Sequence, residues 1–267
     1  MGIRNQNFHA EGHESAMRVL SYNIHKGIGG RDRRYSLDRI IEVIEQANPD
    51  FICLQEVDRH VRRSHYHDQP NLLSRYFNAS GMLYQLNVRL KTGGYGNLML
   101  SRWPIVSKHQ ISLRLKWRKP RGAQLAVIDS PEGELHLVNW HLGLAEAERR
   151  WQVQHLLSHP LFQEQQHLPT LIIGDTNDWR NTLTKGCFQP ANFQAATAPA
   201  SRFRSFPAYL TLGALDKAFC RGDLHIRHAQ IWRTPVARVA SDHLPLVIDF
   251  HLRNGGTPTE SAAHAGD

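Results

Sequence analysis

The sequence is poor in the residues that cross-link or anchor a chain. Three cysteines, Cys53, Cys187 and Cys220, are spread over 267 residues, and no two stand at a spacing typical of a disulfide framework or a zinc-thiolate site. No apolar run approaches the roughly 20 residues that a membrane helix needs. Residues 1–16 lack the apolar centre of a signal peptide. These absences predict a cytoplasmic protein with no integral membrane segment.

Several catalytic motifs are missing as well. No serine or cysteine is flanked by the parts of a nucleophilic triad, and Ser241-Asp242-His243 are consecutive, so they cannot converge as one. The glycine-rich stretch 26–30 matches no Walker or dinucleotide fingerprint. The stretch after Asp175 lacks the later positions of a calcium-binding EF-hand loop, because Trp179 and Arg180 stand there. The chemistry that remains is that of carboxylates, amides and histidines.

Positive charge is in excess. Lys and Arg number 32 against 24 Asp and Glu, which gives a formal net charge of +8 and a pI near 9.7. Such a balance favours an anionic partner, either nucleic acid or an acidic lipid surface. Two basic loops, residues 31–34 and 116–121, could grip phosphates, although ordinary solvated charge also explains them. The second loop includes an aromatic residue, Trp117.

The hydrophobic pattern predicts one α/β domain over residues 17–252, with polar, disordered segments at 1–16 and 253–267, and we expect a monomer. A first strand starts at Met17, and a helix capped by Ser36 spans Leu37 to Ala47 before Asn48-Pro49 ends it. The apolar run 51–54 predicts a second, buried strand. Further strands are predicted at 83–88, 96–101, 105–113, 123–128, 134–140, 171–173, 214–220, 225–232 and 244–250. Helices are predicted near 72–77 and over 144–158, the latter with Leu144, Ala147, Trp151 and His155 on one face.

Polar side chains lie at the ends of five of the predicted strands. They are Asn23, Glu56, His141, Asp175 with Asn177, and Asp242 with His243. Any one of them is explained as a turn or capping residue. Their repeated placement at strand ends favours a shared site, because carboxylates and amides are ligands for a hard cation and can orient a water molecule.

These residues lie in motifs that resemble, in order, those of the endonuclease/exonuclease/phosphatase superfamily. The motifs are Ser21-Tyr22-Asn23, Leu54-Gln55-Glu56, Asn139-Trp140-His141-Leu142, Gly174-Asp175-Thr176-Asn177, Leu215-Asp216 and Ser241-Asp242-His243. The resemblance implies a four-layer α/β sandwich, in which two packed mixed β-sheets are flanked by helices and the site lies at one edge of the sheet pair. Trp140 and Thr176 depart from the family pattern. We expect both to face away from the site.

The resemblance also implies roles for individual residues. Mg²⁺ or Mn²⁺ is assigned to Glu56, with Asn23 and Asp242 close to the metal. Asp175 would orient or deprotonate water and Asn177 would bind the phosphate or the nucleophile. His141 would assist the leaving oxygen, while His243 would contact the phosphate and be held by Asp216 on a neighbouring strand. Substrate contacts are predicted for Asn97, Arg121 and Lys26.

The sequence therefore predicts a Mg²⁺- or Mn²⁺-dependent phosphodiester hydrolase, with nucleic acid as the first choice of substrate because of the positive charge. Hydrolysis of a phospholipid headgroup or of a small phosphate ester would use the same site. An inert binding module with the same fold is the alternative of another class. That alternative is disfavoured because Glu56, Asp175 and His243 are all present.

Overall fold

The computed structural model describes residues 16–252. The segments predicted to be disordered, 1–16 and 253–267, therefore lie outside the described residues except for residue 16. Twelve strands are formed within it: β1 Met17–Asn23, β2 Phe51–Arg59, β3 Gly81–Leu90, β4 Gly93–Ser101, β5 Ile105–Ser112, β6 Gly122–Ser130, β7 Gly133–His141, β8 Thr170–Asp175, β9 Gln194–Ala195, β10 Asp216–Arg221, β11 Leu224–Ile231 and β12 Leu246–Leu252. The α-helices in the same range are α1 Leu37–Ala47, α2 Gln69–Tyr76, α3 Glu146–Leu157, α4 Pro160–Gln163 and α5 Ala237–Ala240. None of the described helices has the length and apolar character to cross a bilayer.

The strands form two six-stranded sheets. The first has the order β11-β12-β1-β2-β4-β3 and the second the order β5-β6-β7-β8-β10-β9. Both are mixed, because β1 pairs with β2 and β7 with β8 in parallel while the other pairs are antiparallel. The two sheets pack face to face, so the predicted four-layer sandwich is confirmed.

The local sequence of helix α1 explains where the helix begins, where it ends and which face it buries. The Ser36 side chain accepts a hydrogen bond from the Arg39 backbone N–H, and Asn48 ends the helix in the left-handed conformation. Its apolar stripe is fully buried against the first sheet at Ile40 and Ile44. The predicted bounds and caps of this helix are confirmed.

Two apolar cores hold the layers together. One lies between the sheets and under α1, and it includes Cys53. The other lies between the second sheet and helices α3 and α4. There the Phe188 and Phe219 rings stack at 3.6 Å between centroids, and Trp140 is fully buried beside them. The expectation that Trp140 serves packing is confirmed.

Helix α3 buries a different face from the one predicted. Its buried side chains are Glu148, Arg149, Gln152, Val153 and Leu156, whereas Leu144 is 72% exposed and lies before the helix. Gln152 accepts from the Gly143 N–H at 2.8 Å and donates to the Leu113 carbonyl at 2.9 Å. The pattern was misleading because polar groups that find partners can occupy the inward face.

The sheets also meet through a polar ladder of amide side chains at one end of their interface. Asn139 of β7 donates to the Leu54 and Leu98 carbonyls, both at 3.1 Å, and to Gln124 Oε1 at 2.8 Å. Gln55 of β2 donates back to Asn139 Oδ1 at 2.8 Å. Asn139, Gln124 and Gln55 are fully buried. Directional bonds therefore connect the first sheet to the second where β1, β7 and β8 end.

Candidate active site

Asp175 lies at the centre of the site. It is the last residue of β8 and is 1% exposed. Its Oδ2 atom lies 3.0 Å from Asn23 Nδ2, 3.3 Å from His141 Nε2 and 3.6 Å from His243 Nε2. Burial raises the pKa of this carboxyl to about 6, against the opposing positive charge of His243. One buried carboxylate is thus bracketed by two imidazoles and an amide.

His243 is held by a second carboxylate. Its Nδ1 lies 2.8 Å from Asp216 Oδ2, and its ring contacts Phe206 with 4.8 Å between centroids. Asp216 is fully buried and stands opposite Asp175 in the pairing of β10 with β8. The prediction that Asp216 holds His243 is supported by this geometry. The prediction of neighbouring strands was wrong, because Asp216 belongs to the second sheet whereas His243 lies three residues before the first-sheet strand β12, so the pair forms across the sandwich.

The charge of His243 follows from these contacts. Burial lowers its pKa, but the carboxylates of Asp216 and Asp175 outweigh burial and raise the pKa to about 10. At neutral pH this imidazole is therefore a cation that carries a proton on each nitrogen.

His141 has the opposite character. Its Nδ1 accepts a hydrogen bond from Arg121 Nη1 at 3.1 Å, which leaves its proton on Nε2, facing Asp175. Burial lowers the pKa of His141 well below its usual value, and the Arg121 charge lowers it further. The two histidines thus differ in charge although both contact Asp175, and the difference is set by whether Arg121 or Asp216 lies behind the ring.

The turn after β8 presents Asn177. Its backbone N–H donates to Asp175 Oδ1 at 2.9 Å, and its side-chain amide donates to the Leu142 carbonyl at 3.0 Å. The residue has a φ of +50°, a conformation that asparagine tolerates better than most side chains. Thr176 faces away and donates to the Leu215 carbonyl at 2.7 Å, as predicted.

Glu56 does not follow a strand. Strand β2 continues to Arg59, and Glu56 lies within it at a β-bulge opposite β4, with a φ of +58°. The bulge turns the carboxylate out of the sheet, where it pairs with the Lys26 ammonium. Burial raises the pKa of Glu56, but the Lys26 charge, aided by Lys119, holds it well below its usual range. The predicted strand end was wrong because a short apolar run does not reveal a bulge.

The donors suit a hard cation held by few protein ligands. Within residues 16–252, no group of three His, Cys, Asp or Glu side chains is arranged so that it could hold a metal ion by itself. Mg²⁺ is commonly bound by one or two carboxylates with water and substrate phosphate as the other ligands. Glu56 supplies an ionised carboxylate, and the assignment of Asn23 and Asp242 to the same ion stays a prediction.

Asp242 lies at the outer side of the site. Its Oδ1 is 3.9 Å from His25 Nδ1, and its side chain is 27% exposed. The glycine loop packs directly on it: a Cβ on Gly30 would lie 2.6 Å from the Asp242 Cα. The glycine at 30 is therefore required for close approach, and it places the basic residues 31–34 beside the site.

Asn97 is placed differently from the other predicted substrate residues. It is 1% exposed and donates to the Gly122 carbonyl at 2.9 Å, next to Arg121. Its Oδ1 has no hydrogen-bond partner among the described residues. Asn97 thus connects the sheets beneath the site, and its contact with substrate stays a prediction.

Three residues with a part in the site escaped sequence reasoning. Ser205 donates to Asp216 Oδ2, Gln69 bonds to both the Lys26 and the Asp58 backbone, and the Tyr95 ring faces three cations. Ser205 lies in an irregular segment and the other two in ordinary elements. Nothing in their local sequence marks them.

Comparisons with known proteins agree with this geometry. A model of the Endonuclease/Exonuclease/phosphatase family matches residues 20–243. The uncharacterized protein YbhP of Escherichia coli (strain K12) is 30% identical over 257 residues, with 89% of this chain and 97% of YbhP covered.

Solved structures share the fold. An endonuclease/exonuclease/phosphatase from Beutenbergia cavernae superposes with a TM-score of 0.71 at 19% identity, covering 89% of this chain and 72% of that one. TDP2 of D. rerio, complexed with a single-strand DNA product, gives 0.65 at 18% identity and covers 89% and 100%. The family model spans all the strand ends that meet at Asp175, and this chain belongs to the endonuclease/exonuclease/phosphatase family.

Proposed function

We propose that this chain is a divalent-cation-dependent phosphodiesterase that hydrolyses nucleic acid. Members of its family are metal-dependent phosphoesterases. The observation that carries the proposal is the Asp175 carboxylate between one neutral and one cationic imidazole. The Asp175 carboxylate can take a proton from water while the neighbouring imidazolium of His243 faces the phosphate.

Each polar group has a separate task in that reaction. Asp175, with its raised pKa, accepts the proton of the attacking water. Neutral His141 donates its Nε2–H to Asp175 and fixes the orientation of the carboxylate. Cationic His243 donates toward the phosphate and stabilises the charge that develops on its oxygens, and its raised pKa keeps the proton in place. As the P–O bond to the leaving group breaks, the leaving oxygen, which is more basic than His243, takes this proton from Nε2. We therefore assign both the electrostatic part and the proton donor to His243, in preference to His141.

Glu56 and the residues near it would hold Mg²⁺ or Mn²⁺, which supplies charge neutralisation for the phosphate. The side of the site with Arg121 and Lys119 adds positive charge from the protein itself. Arg121 is 6% exposed and lies against His141, so it can contact only a group that enters the site. Lys119 is exposed and lies 5.4 Å from the Tyr95 ring centroid.

The surface on both sides of the site suits a polynucleotide strand. On the Glu56 side, the loop of Lys119 presents Trp117, which is 85% exposed. On the His243 side, Trp179 is 52% exposed and packs edge-on against Phe206, which contacts the His243 ring. Residues 179–215 contain four Lys or Arg and no Asp or Glu. Exposed aromatic rings on a cationic surface are the features that bind single strands by stacking.

The direct test is a panel of substrates. Single- and double-stranded DNA, RNA, phospholipids, inositol phosphates and bis(p-nitrophenyl) phosphate are incubated with Mg²⁺, Mn²⁺ or EDTA. We expect hydrolysis of a nucleic acid with either cation, none in EDTA, and loss of turnover in Glu56→Gln and Asp175→Asn. Hydrolysis of lipids alone would overturn the choice of nucleic acid, and full activity in EDTA would overturn the proposed reaction.

A second experiment separates strand binding from chemistry. Trp179→Ala and Trp117→Ala should each raise KM for single-stranded DNA by about tenfold, since one stacked base is worth ~1–3 kcal/mol. Hydrolysis of bis(p-nitrophenyl) phosphate should be unchanged. Tyr76→Ala is the matched control, because Tyr76 is similarly exposed at 54% but bonds to Glu45 of α1. Equal losses on both substrates would show a structural role for the tryptophans.

The basic loop has its own readout. Arg118 and Lys119 are exposed, whereas Arg121 is buried in the site. Replacing Arg118 and Lys119 together by Met should lower the dependence of log affinity on log salt by about two units, roughly one for each phosphate that the protein no longer neutralises. An unchanged dependence would assign these side chains to solvent.

A further inference from the structure

The Lys26 ammonium faces Glu56 because of an uncommon backbone turn. Three consecutive residues after β1, His25, Lys26 and Gly27, have φ values of 46°, 65° and 77°. The turn is closed by bonds from the Gly27 N–H to the Ile24 carbonyl at 2.8 Å and from the Ile28 N–H to the His25 carbonyl at 3.0 Å. Left-handed backbone is uncommon for a side chain such as lysine. The chain thus holds Lys26 in a conformation that its local sequence does not favour.

Glu56 is held in the same way. Its φ is +58° at the bulge of β2, so both partners of the ion pair have left-handed backbone. The side chains are 14% exposed for Lys26 and 11% for Glu56. Solvent-exposed ion pairs contribute little to stability, and their side chains change conformation freely. The geometry of a buried ion pair is instead fixed by the residues around it.

A buried glutamine fixes the distance between the turn and the bulge. Gln69, at the start of α2, donates from Nε2 to the Lys26 carbonyl at 2.9 Å and accepts at Oε1 from the Asp58 N–H at 2.7 Å. It is fully buried. Three elements, β1, β2 and α2, therefore hold the Lys26 ammonium beside Glu56.

No other described residue neutralises Glu56 by a direct bond. The neighbouring carboxylate, Asp58, is bound by Arg63 at 2.9 and 2.7 Å. In the same conformation, Lys26 Nζ also lies 5.4 Å from the Tyr95 ring centroid. This second contact is made with a group other than Glu56, so the ammonium has a partner besides the carboxylate.

We propose that Lys26 is a resident counter-ion of Glu56 that a divalent cation must displace, so that Lys26 weakens metal binding and keeps the metal-free site stable. The inference rests on the proposed function only in its assignment of Glu56 to metal. An ammonium and a divalent cation that both contact the Glu56 carboxylate repel each other, so the presence of one at Glu56 disfavours binding of the other. The corresponding prediction is that replacing Lys26 makes metal binding tighter, even though the replacement also removes a positive charge that is predicted to contact substrate.

The test measures metal affinity without substrate. Mn²⁺ is titrated into the full chain by calorimetry, with the thermal midpoint recorded with and without Mn²⁺. Lys26→Met should lower the Kd for Mn²⁺ by about tenfold or more, as expected for one unit charge removed at contact distance. Metal-free Lys26→Met should melt lower than the wild-type protein because Glu56 is left unpaired, and Mn²⁺ should raise its midpoint more than that of the wild type.

Two controls isolate the contact from general charge. Lys119→Met removes the same charge near the same Tyr95 ring but no bond to Glu56, and it should change the Kd by less than about threefold. Lys26→Arg retains the charge and should keep the Kd near that of the wild type.

The outcomes are distinct. An unchanged or higher Kd in Lys26→Met, with folding confirmed by its melting transition, overturns the proposal while the proposed function stands. Tighter Mn²⁺ binding in Lys26→Met supports it, even if no phosphodiester in the panel is hydrolysed, a result that would overturn only the proposed function. Failure of every variant to bind Mn²⁺ overturns both.

Discussion

Replacing Asp216 by asparagine tests the electrostatics of the site most directly. The change keeps the shape of the side chain but removes the charge 2.8 Å from His243 Nδ1. If His243 acts as a cation whose proton is held by Asp216, turnover should fall mainly at alkaline pH, whereas His243→Ala should lower turnover on the order of 10²-fold at neutral pH, the size expected for a positioned electrostatic group.

The magnitude of the pH effect follows from the two carboxylates. The rise in the pKa of His243 from 6.5 to about 10 corresponds to ~5 kcal/mol. Asp216 is the first of the charges that raise it, followed by Asp175. Loss of one opposite charge at contact distance lowers such a pKa by about 1–3 units, so the pKa of His243 should fall from about 10 by this amount in Asp216→Asn. Because the cationic form is the active one, activity is present below this pKa and is lost as pH rises through it.

The assay is the pH profile of kcat/KM for bis(p-nitrophenyl) phosphate, in a cycle of Asp216→Asn, His243→Ala and the double variant. We expect the alkaline limb of Asp216→Asn to lie about 1–3 pH units below that of the wild type. The double variant should be no worse than His243→Ala alone, because residues that act as a unit are not additive.

Two results would refute the reasoning. Losses that multiply would show that Asp216 and His243 act independently. An alkaline limb that does not move would show that the proton of His243 is not held by Asp216. Thermal melts of each variant exclude unfolding as the cause.

Three further predictions concern single side chains. Arg121→Met should raise the pKa of His141, because a neighbouring cation that disfavours its charged form is removed, and NMR titration of the imidazole would contradict this if no shift occurs. Burial lowers the pKa of His136 from 6.5 to about 4, so between these pH values the unfolded chain binds a proton that the folded chain does not. The free energy of unfolding should therefore fall by up to ~3 kcal/mol as pH drops through that window. In urea melts, His136→Gln should lose less stability than the wild type over the same pH range. Trp140→Ala should lower the free energy of unfolding by ~3–5 kcal/mol in urea melts, since it empties a fully buried site, and a loss under ~1 kcal/mol would show that the core collapses around it.

Local signals in the sequence predicted much of the fold. Helix α1 has its cap at Ser36, its apolar stripe and its end at Asn48 within 13 residues, and all three act locally. Asp175, His141 and Asn23 were predicted at one site because each ends a buried strand. A family pattern then supplied Asp216 and its pairing with His243, because a separation of 27 residues along the chain gives no local sign of contact.

Features that depend on distant partners could not be predicted. Glu56 was placed at a strand end, yet it lies at a bulge that exists only because β4 pairs with β2 on both sides of it. Helix α3 buries Gln152 because Gly143 and Leu113 supply partners, and neither is visible from helical periodicity. The different charges of His141 and His243 arise from Arg121 and Asp216, which the fold brings from other strands.

The polar ladder between the sheets limits how the two halves of the site can move. Asn23, Glu56 and His243 come from the first sheet or its margins, whereas Asp175, His141 and Asp216 come from the second. Apolar side chains alone would allow the sheets to slide past each other, because dispersion contacts have no preferred direction. Asn139 opposes sliding, since its bonds to the Leu54 and Leu98 carbonyls and to Gln55 lengthen with any shear. Loops around the site can therefore change in length and composition while the spacing between Asp175 and His243 is kept.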